Sequence, residues 1–152
     1  MPNHVTQRLH IEADDKILTL IREKVNSEDH EFDANRIIAM PEMLNCTVSD
    51  GGVTDQKKSN VEKYGFPTWY EWANHWWGTK WGCYDSKWES DDQVTFTSAW
   101  SPAYRIVEAL STDFPEATFT LEYDGEIDHP GIVVIQAGEI VEEREIEREE
   151  DE

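Results

Sequence analysis

Residues 93–123 read QVTFTSAWSPAYRIVEALSTDFPEATFTLEY, a strand, a helix and a strand in immediate succession. Gln93 to Trp100 has the composition of a strand. Ser101 then supplies an N-cap and Pro102 a first helical position, and Ala103, Ile106, Val107, Leu110 and Phe114 form an apolar stripe, so a helix is predicted over 102–113. Pro115 ends it. Phe119, Leu121 and Tyr123 alternate with polar residues as the second strand. Downstream, Asp124-Gly125 offers a turn into the apolar run Ile132 to Ile135, a further strand.

Upstream the same order recurs. Val5, Leu9 and Ile11 share one face of a strand over 5–11, and Asp14 and Asp15 can start a helix over 15–26 in which Ile17, Leu18, Ile21 and Val25 recur at helical spacing. Phe32 to Met40 (FDANRIIAM) reads as a strand that ends at Pro41. Residues 45–63 are polar and glycine-punctuated, which predicts a loop. Pro67 marks a short aromatic helix over 67–76, with Trp69, Trp72, Ala73 and Trp76 on one face and Gly78 closing it in the left-handed conformation. Lys80 to Trp88 and Gln93 to Trp100 then form a hairpin around Glu89-Ser90-Asp91-Asp92. Two βαβ halves of this kind predict an α+β fold, the ferredoxin-like or split-βαβ antiparallel sheet with helices on one face. Residues 1–138 form the single domain, with an insertion at about 45–88, and 139–152 form an acidic C-terminal tail.

The chain has 152 residues, with 33 Asp and Glu against 13 Lys and Arg, for a formal charge of −20. The tail, with nine acids and two bases, accounts for −7 of this, so the acidity is distributed. Such a charge repels phosphate backbones and anionic lipid, and it favours basic protein partners. No apolar run reaches the roughly 18 residues of a membrane helix, and Met1 to His10 lacks the pattern of a secretory leader, so a cytoplasmic protein is expected. Cys46 and Cys83 show no redox spacing.

Trp77-Gly78-Thr79-Lys80-Trp81, Ala99-Trp100-Ser101-Pro102 and Asp113-Phe114-Pro115 resemble the YubB-type ferredoxin-like domain family of phage and plasmid proteins. Phe32-Asp33 and Met40-Pro41-Glu42 look like that family's second strand and its exit. The resemblance runs from the first strand to Gly131. Trp76 stands where the family usually has Asn, Ala39 and Ala103 where it often has Pro, and the acidic tail is extra. The resemblance implies a mobile-element origin and a ferredoxin-like topology; fold by itself does not fix function.

The WGTKW segment is the one constellation with chemical possibilities. Lys80, between Trp77 and Trp81, can rest on an indole face beside Thr79; equally, Trp77, Trp81, Trp88 and Trp100 can pack the sheet while Lys80 points outward. The segment lacks the P-loop spacing, so nucleotide hydrolysis is not expected. Aromatics on a sheet of this topology can stack bases, but the seven lysines are scattered and no basic groove accompanies them. His4, His10, His30, His75 and His129 form no metal-binding pair with one another or with the cysteines, no calcium-loop pattern is present, and no nucleophile motif appears. Neither a metal, a cofactor nor an enzymatic activity is expected.

What remains is the acid surface. If the tail were helical, its nine carboxylates would lie along about 21 Å, close to the charge density of duplex DNA at one per ~1.7 Å; a strand followed by disorder is the other reading. The sequence therefore points to a protein that binds and inhibits a basic host protein, a nucleic-acid-handling defence factor, in the manner of anti-CRISPR or anti-restriction DNA mimics. Glu142, Glu143, Glu145, Glu147, Asp91 and Asp92 would supply the field, and Trp69, Tyr70 and Trp76 the apolar anchors. The alternative is a ligand- or nucleic-acid-binding module built on Trp77, Thr79 and Lys80. An exposed edge at 132–136 would allow a homodimer.

Overall fold

Nine residues, His4–Glu12, form the strand β1 around which the sheet is built in the computed structural model, which describes residues 4–45, 47, 52, 54–79, 82–99, 101–125 and 130–145. Its odd positions Val5, Gln7, Leu9 and Ile11 are buried and its even positions Thr6 and Arg8 are exposed, the period-two pattern of a sheet covered on one side. The helix α1 (Asp15–Val25) follows, capped by the Asp14 carboxylate, which accepts from the Ile17 N–H at 2.9 Å. Leu18, Ile21 and Val25 turn inward.

Among the described residues a 3-10 turn and three α-helices follow before the chain re-enters the sheet: α2 (Glu42–Asn45), α3 (Asp55–Tyr64) and α4 (Trp69–Trp76). Then come β2 (Tyr84–Trp88), β3 (Gln93–Ala99), α5 (Tyr104–Asp113), β4 (Thr118–Gly125), β5 (Gly131–Gln136) and β6 (Glu139–Glu145). The sheet order is β2-β3-β1-β4-β5-β6, and every neighbouring pair is antiparallel. Within it, β3 lies between β1 and β2, and β1 lies between β3 and β4. Each βαβ crossover is thus split by a strand from the other half, the ferredoxin-like arrangement, and β5 and β6 extend it as a meander. The α+β class and the ferredoxin-like sheet expected from the sequence are the observed architecture.

In register, Leu9 faces Val94 and Leu121, Ile11 faces Phe119, and Phe119 faces Ile135. These side chains meet Leu18 and Ile21 of α1, Trp72 and Ala73 of α4, and Ile106, Val107 and Leu110 of α5 in one core. A buried polar link joins the sheet to α5. The Gln7 amide donates to Ser98 Oγ (2.5 Å) and to the Val5 carbonyl (3.2 Å), and its oxygen accepts from the Ala103 N–H (2.8 Å). Ser98 in turn donates to the Ser101 carbonyl at 2.6 Å.

Several local expectations are corrected. Phe32 to Met40 is not a strand but holds a 3-10 turn, Ala34–Arg36. Asp33 accepts from the Asn35 N–H and Asn35 Oδ1 from the Met40 N–H, so side chains claim the backbone groups that a ladder needs. Phe32 is still buried, stacked on Phe96 with centroids 4.8 Å apart, and its N–H donates to Ser86 Oγ. Residues 45–63 are not all loop, since α3 begins at Asp55, with Thr54 accepting from the Lys57 N–H at 3.1 Å and Gly65 closing it. Thr68 rather than Pro67 sits at the start of α4, and Ala103 rather than Ser101 at the start of α5. The 132–136 stretch is no edge, because β5 lies between β4 and β6. Among the described residues the edges are β2 and β6.

Candidate functional site

The WGTKW segment begins where α4 ends. The Trp77 N–H donates to the Ala73 carbonyl, and Gly78 adopts φ +71°, the left-handed closure expected of it. Trp77 is buried, standing edge-on to Trp72 at 5.1 Å, and its indole N–H donates to the Ile38 carbonyl at 2.9 Å. Thr79 is buried too: its hydroxyl accepts from the Gly82 N–H at 3.0 Å and faces the Gly82 carbonyl. Gly82 has φ +75°, and a Cβ there would come within 3.0 Å of Ala34 and 3.2 Å of the Trp77 ring. The Ser101 hydroxyl donates to the Gly78 carbonyl and Arg105 to the His75 carbonyl. Lys80 and Trp81 lie outside the described residues, as does Trp100. Trp77 and Thr79 therefore join the inserted helices to the sheet.

Of the aromatic anchors, Trp69 and Tyr70 are half-buried and meet edge-on at 5.8 Å, with Trp69 packed against the core. Trp76 is 45% exposed, with His75 against its ring.

The acidic candidates divide between two distant places. Asp91 and Asp92 lie in the β2–β3 turn, where Asp91 pairs with Arg22 of α1 at 3.1 Å and Asp92 approaches His10 at 3.6 Å. Glu142, Glu143 and Glu145 lie on β6, four to five strand spacings away across the sheet, or about 19–24 Å. Glu147 lies outside the described residues. Glu142 is in register with Val134 and Glu143 with Val133, so successive carboxylates leave β6 on opposite faces. All seven residues of β6 are exposed.

The helical reading of the tail does not hold over 139–145, which is strand. Its four carboxylates are spread over about 23 Å, one per about 6 Å, against one charge per ~1.7 Å of duplex DNA. The extended backbone dilutes the charge roughly threefold relative to a phosphate ladder.

A concavity of about 470 Å³ on the open face of the sheet escaped the sequence reading. Thr6 and Arg8 of β1, Thr95 and Thr97 of β3, Glu122 and Asp124 of β4, and Asp85 of β2 line it. Arg8 is in register with Thr95 on one side and Glu122 on the other. The even positions of 5–11 signalled it, since they must face away from the helices. With three carboxylates to one guanidinium, this face repels phosphate.

Cys83 is buried, and loss of solvent around the sulfur, then the Asp33 carboxylate, push its thiol far above the ordinary range. It stays protonated at neutral pH. Among the described residues no three His, Cys, Asp or Glu side chains form a metal-sized cluster, and no helix is long and apolar enough to cross a membrane.

From Trp76 to the end, residues 76–152, the chain matches the family model described as the ferredoxin-like domain in Api92-like protein. It belongs to this Api92-like family. The matched half begins at the last residue of α4 and takes in β2, β3, α5, β4, β5 and β6. The crystal structure of the protein api92 from Yersinia pseudotuberculosis is similar at a TM-score of 0.59 and 9% identity, over 99% of this chain and 100% of that one. At that identity the likeness is one of fold. No curated protein matches the chain. The Api92-like family confirms the ferredoxin-like domain that the resemblance implied.

Proposed function

We propose that this Api92-like chain is a non-catalytic protein of a phage or plasmid, akin to the YubB type, that binds and inhibits a host protein in the host cytoplasm. The partner is a nucleic-acid-handling defence factor with a basic surface, and the chain occupies that surface in place of nucleic acid. The observation that carries the reading is β6, a sheet edge exposed along its whole length with Glu139, Glu142, Glu143 and Glu145 against the single Arg144. The overall charge of −20 supports it, since a field of one sign speeds encounter with a basic partner. The 6 Å spacing of the carboxylates makes the resemblance to nucleic acid one of field and not of phosphate register. Binding of a ligand or nucleic acid by the WGTKW segment is the weaker reading, because the indole of Trp77 is already engaged by Ile38 and Trp72.

The test is capture of partners from host lysate at low and high salt, with nuclease present. A basic nucleic-acid enzyme retained at low salt, lost at high salt, and lost to the variant E142K/E143K/E145K is expected. An enzyme retained equally by that variant would remove the acidic edge from the account. Tryptophan fluorescence titrated with single-stranded DNA, RNA and nucleotides is expected to stay flat; a saturable change would favour the WGTKW segment instead.

A further inference from the structure

β6 ends the sheet, so among the described residues no strand lies beside its backbone on the side away from β5. Such an edge is a template for another extended chain, whose main-chain N–H and C=O groups complete the ladder. Both faces of β6 are open as well, since even Ile140, in register with Ile135, is 42% exposed and Val141 is 56% exposed. An incoming strand would thus meet an unpaired backbone, two apolar side chains, and carboxylates on either side.

We infer that β6 docks an extended basic segment of the partner by strand addition. This rests on the proposed function and specifies the partner's chemistry: a strand bearing Lys or Arg on both faces. Charge decides the occupant. A second copy of this chain would bring four glutamates and one arginine against the same set, and like charges facing each other across a ladder repel. A lysine- or arginine-bearing strand gains an opposite charge at the same positions. Main-chain pairing fixes the register, and Ile140 and Val141 supply the apolar contact that an ion pair between exposed groups does not.

The probe is a seven-residue peptide with lysine at both odd and even positions, so that both faces of the strand carry charge, and threonine or valine between the lysine pairs, together with two forms of it N-methylated at alternate amides, one form for each set of alternate positions. N-methylation keeps the charge and removes ladder donors. With the full chain, the unmodified peptide is expected to slow hydrogen exchange at backbone amides within 139–145 and to bind at least about tenfold more tightly than one methylated form. E142K/E143K/E145K, whose substituted side chains are all exposed, is expected to lose this binding while keeping its circular dichroism. Equal affinity for all three peptides would overturn strand addition and leave the acidic-surface reading standing. No protection at β6, with lysate capture still specific, would place the contact elsewhere and overturn the inference alone. Protection at β6 with no partner captured would uphold the docking edge and remove the host-inhibitor reading.

Discussion

Gln7 shows how much one buried side chain can hold. It sits in β1 at a position where the alternation calls for an apolar residue, yet it satisfies the Ala103 N–H at the entry to α5 and joins the Ser98–Ser101 link. Replacing it with leucine keeps the volume and strands those groups without water. Gln7→Leu is expected to lower unfolding stability by about 2–4 kcal/mol in urea titration, whereas Thr6→Val, on the open face, should stay within about 0.5 kcal/mol. Cys83 carries a pH signature. Folded, its thiol keeps its proton well past the usual range, while in the unfolded chain it ionises near pH 8.5. Stability contributed by this group is therefore fully present below that pH and is lost as the pH rises, by up to about 1.4 kcal/mol per pH unit. Urea midpoints between pH 8 and 10 should fall more steeply for the native chain than for Cys83→Ala; parallel slopes would show that the thiol is accessible.

At the scale of elements, α3 and the 32–40 segment explain where sequence reading failed. The α3 helix has no apolar stripe; it packs through Lys57 and Asn60, both buried. Asn60 donates to Thr47 Oγ1 and the Pro67 carbonyl, each at 2.9 Å, and accepts from Gln56. Periodicity cannot register a helix held by an amide, although Thr54 and Gly65 marked its two ends in the sequence. Asn60→Leu should speed amide exchange over 55–64 by at least about tenfold and leave β1 and β4 unchanged. Uniform exchange across all of them would mean that the insertion and the sheet open together. The 32–40 stretch misled for the opposite reason. Its apolar residues suit a strand, but Asp33 and Asn35 turn the backbone first, and Tyr84–Trp88, some fifty residues later, takes the place beside β3.

The whole molecule is governed by its charge. With −20 and only a few ion pairs among the described residues, the folded chain repels itself at low ionic strength. Raising salt from about 10 mM to about 0.5 M shortens the screening length from about 30 Å to a few ångströms. The melting temperature should rise by about 3–6 °C, or about 1–2 kcal/mol for a chain of this size. E142K/E143K/E145K, which brings the net charge to −14, should show a smaller rise. A melting temperature indifferent to salt would mean that the acids are spaced too widely to repel.

The sequence by itself determined the second βαβ half and the first strand and helix of the other, because alternation in 5–11, 93–100 and 119–123 and helical spacing in 15–26 and 102–113 are local consequences of which face is buried. It also determined the acidity, which is composition alone. Only the tertiary structure decided that Trp77 and Thr79 belong to the interior, that Asp91 and Asp92 stand four to five strand spacings from Glu142, Glu143 and Glu145, and that 139–145 is an edge and 132–136 is not. Those outcomes depend on which strands become neighbours, and neighbours in a split βαβ sheet are set by pairings between segments far apart in the chain.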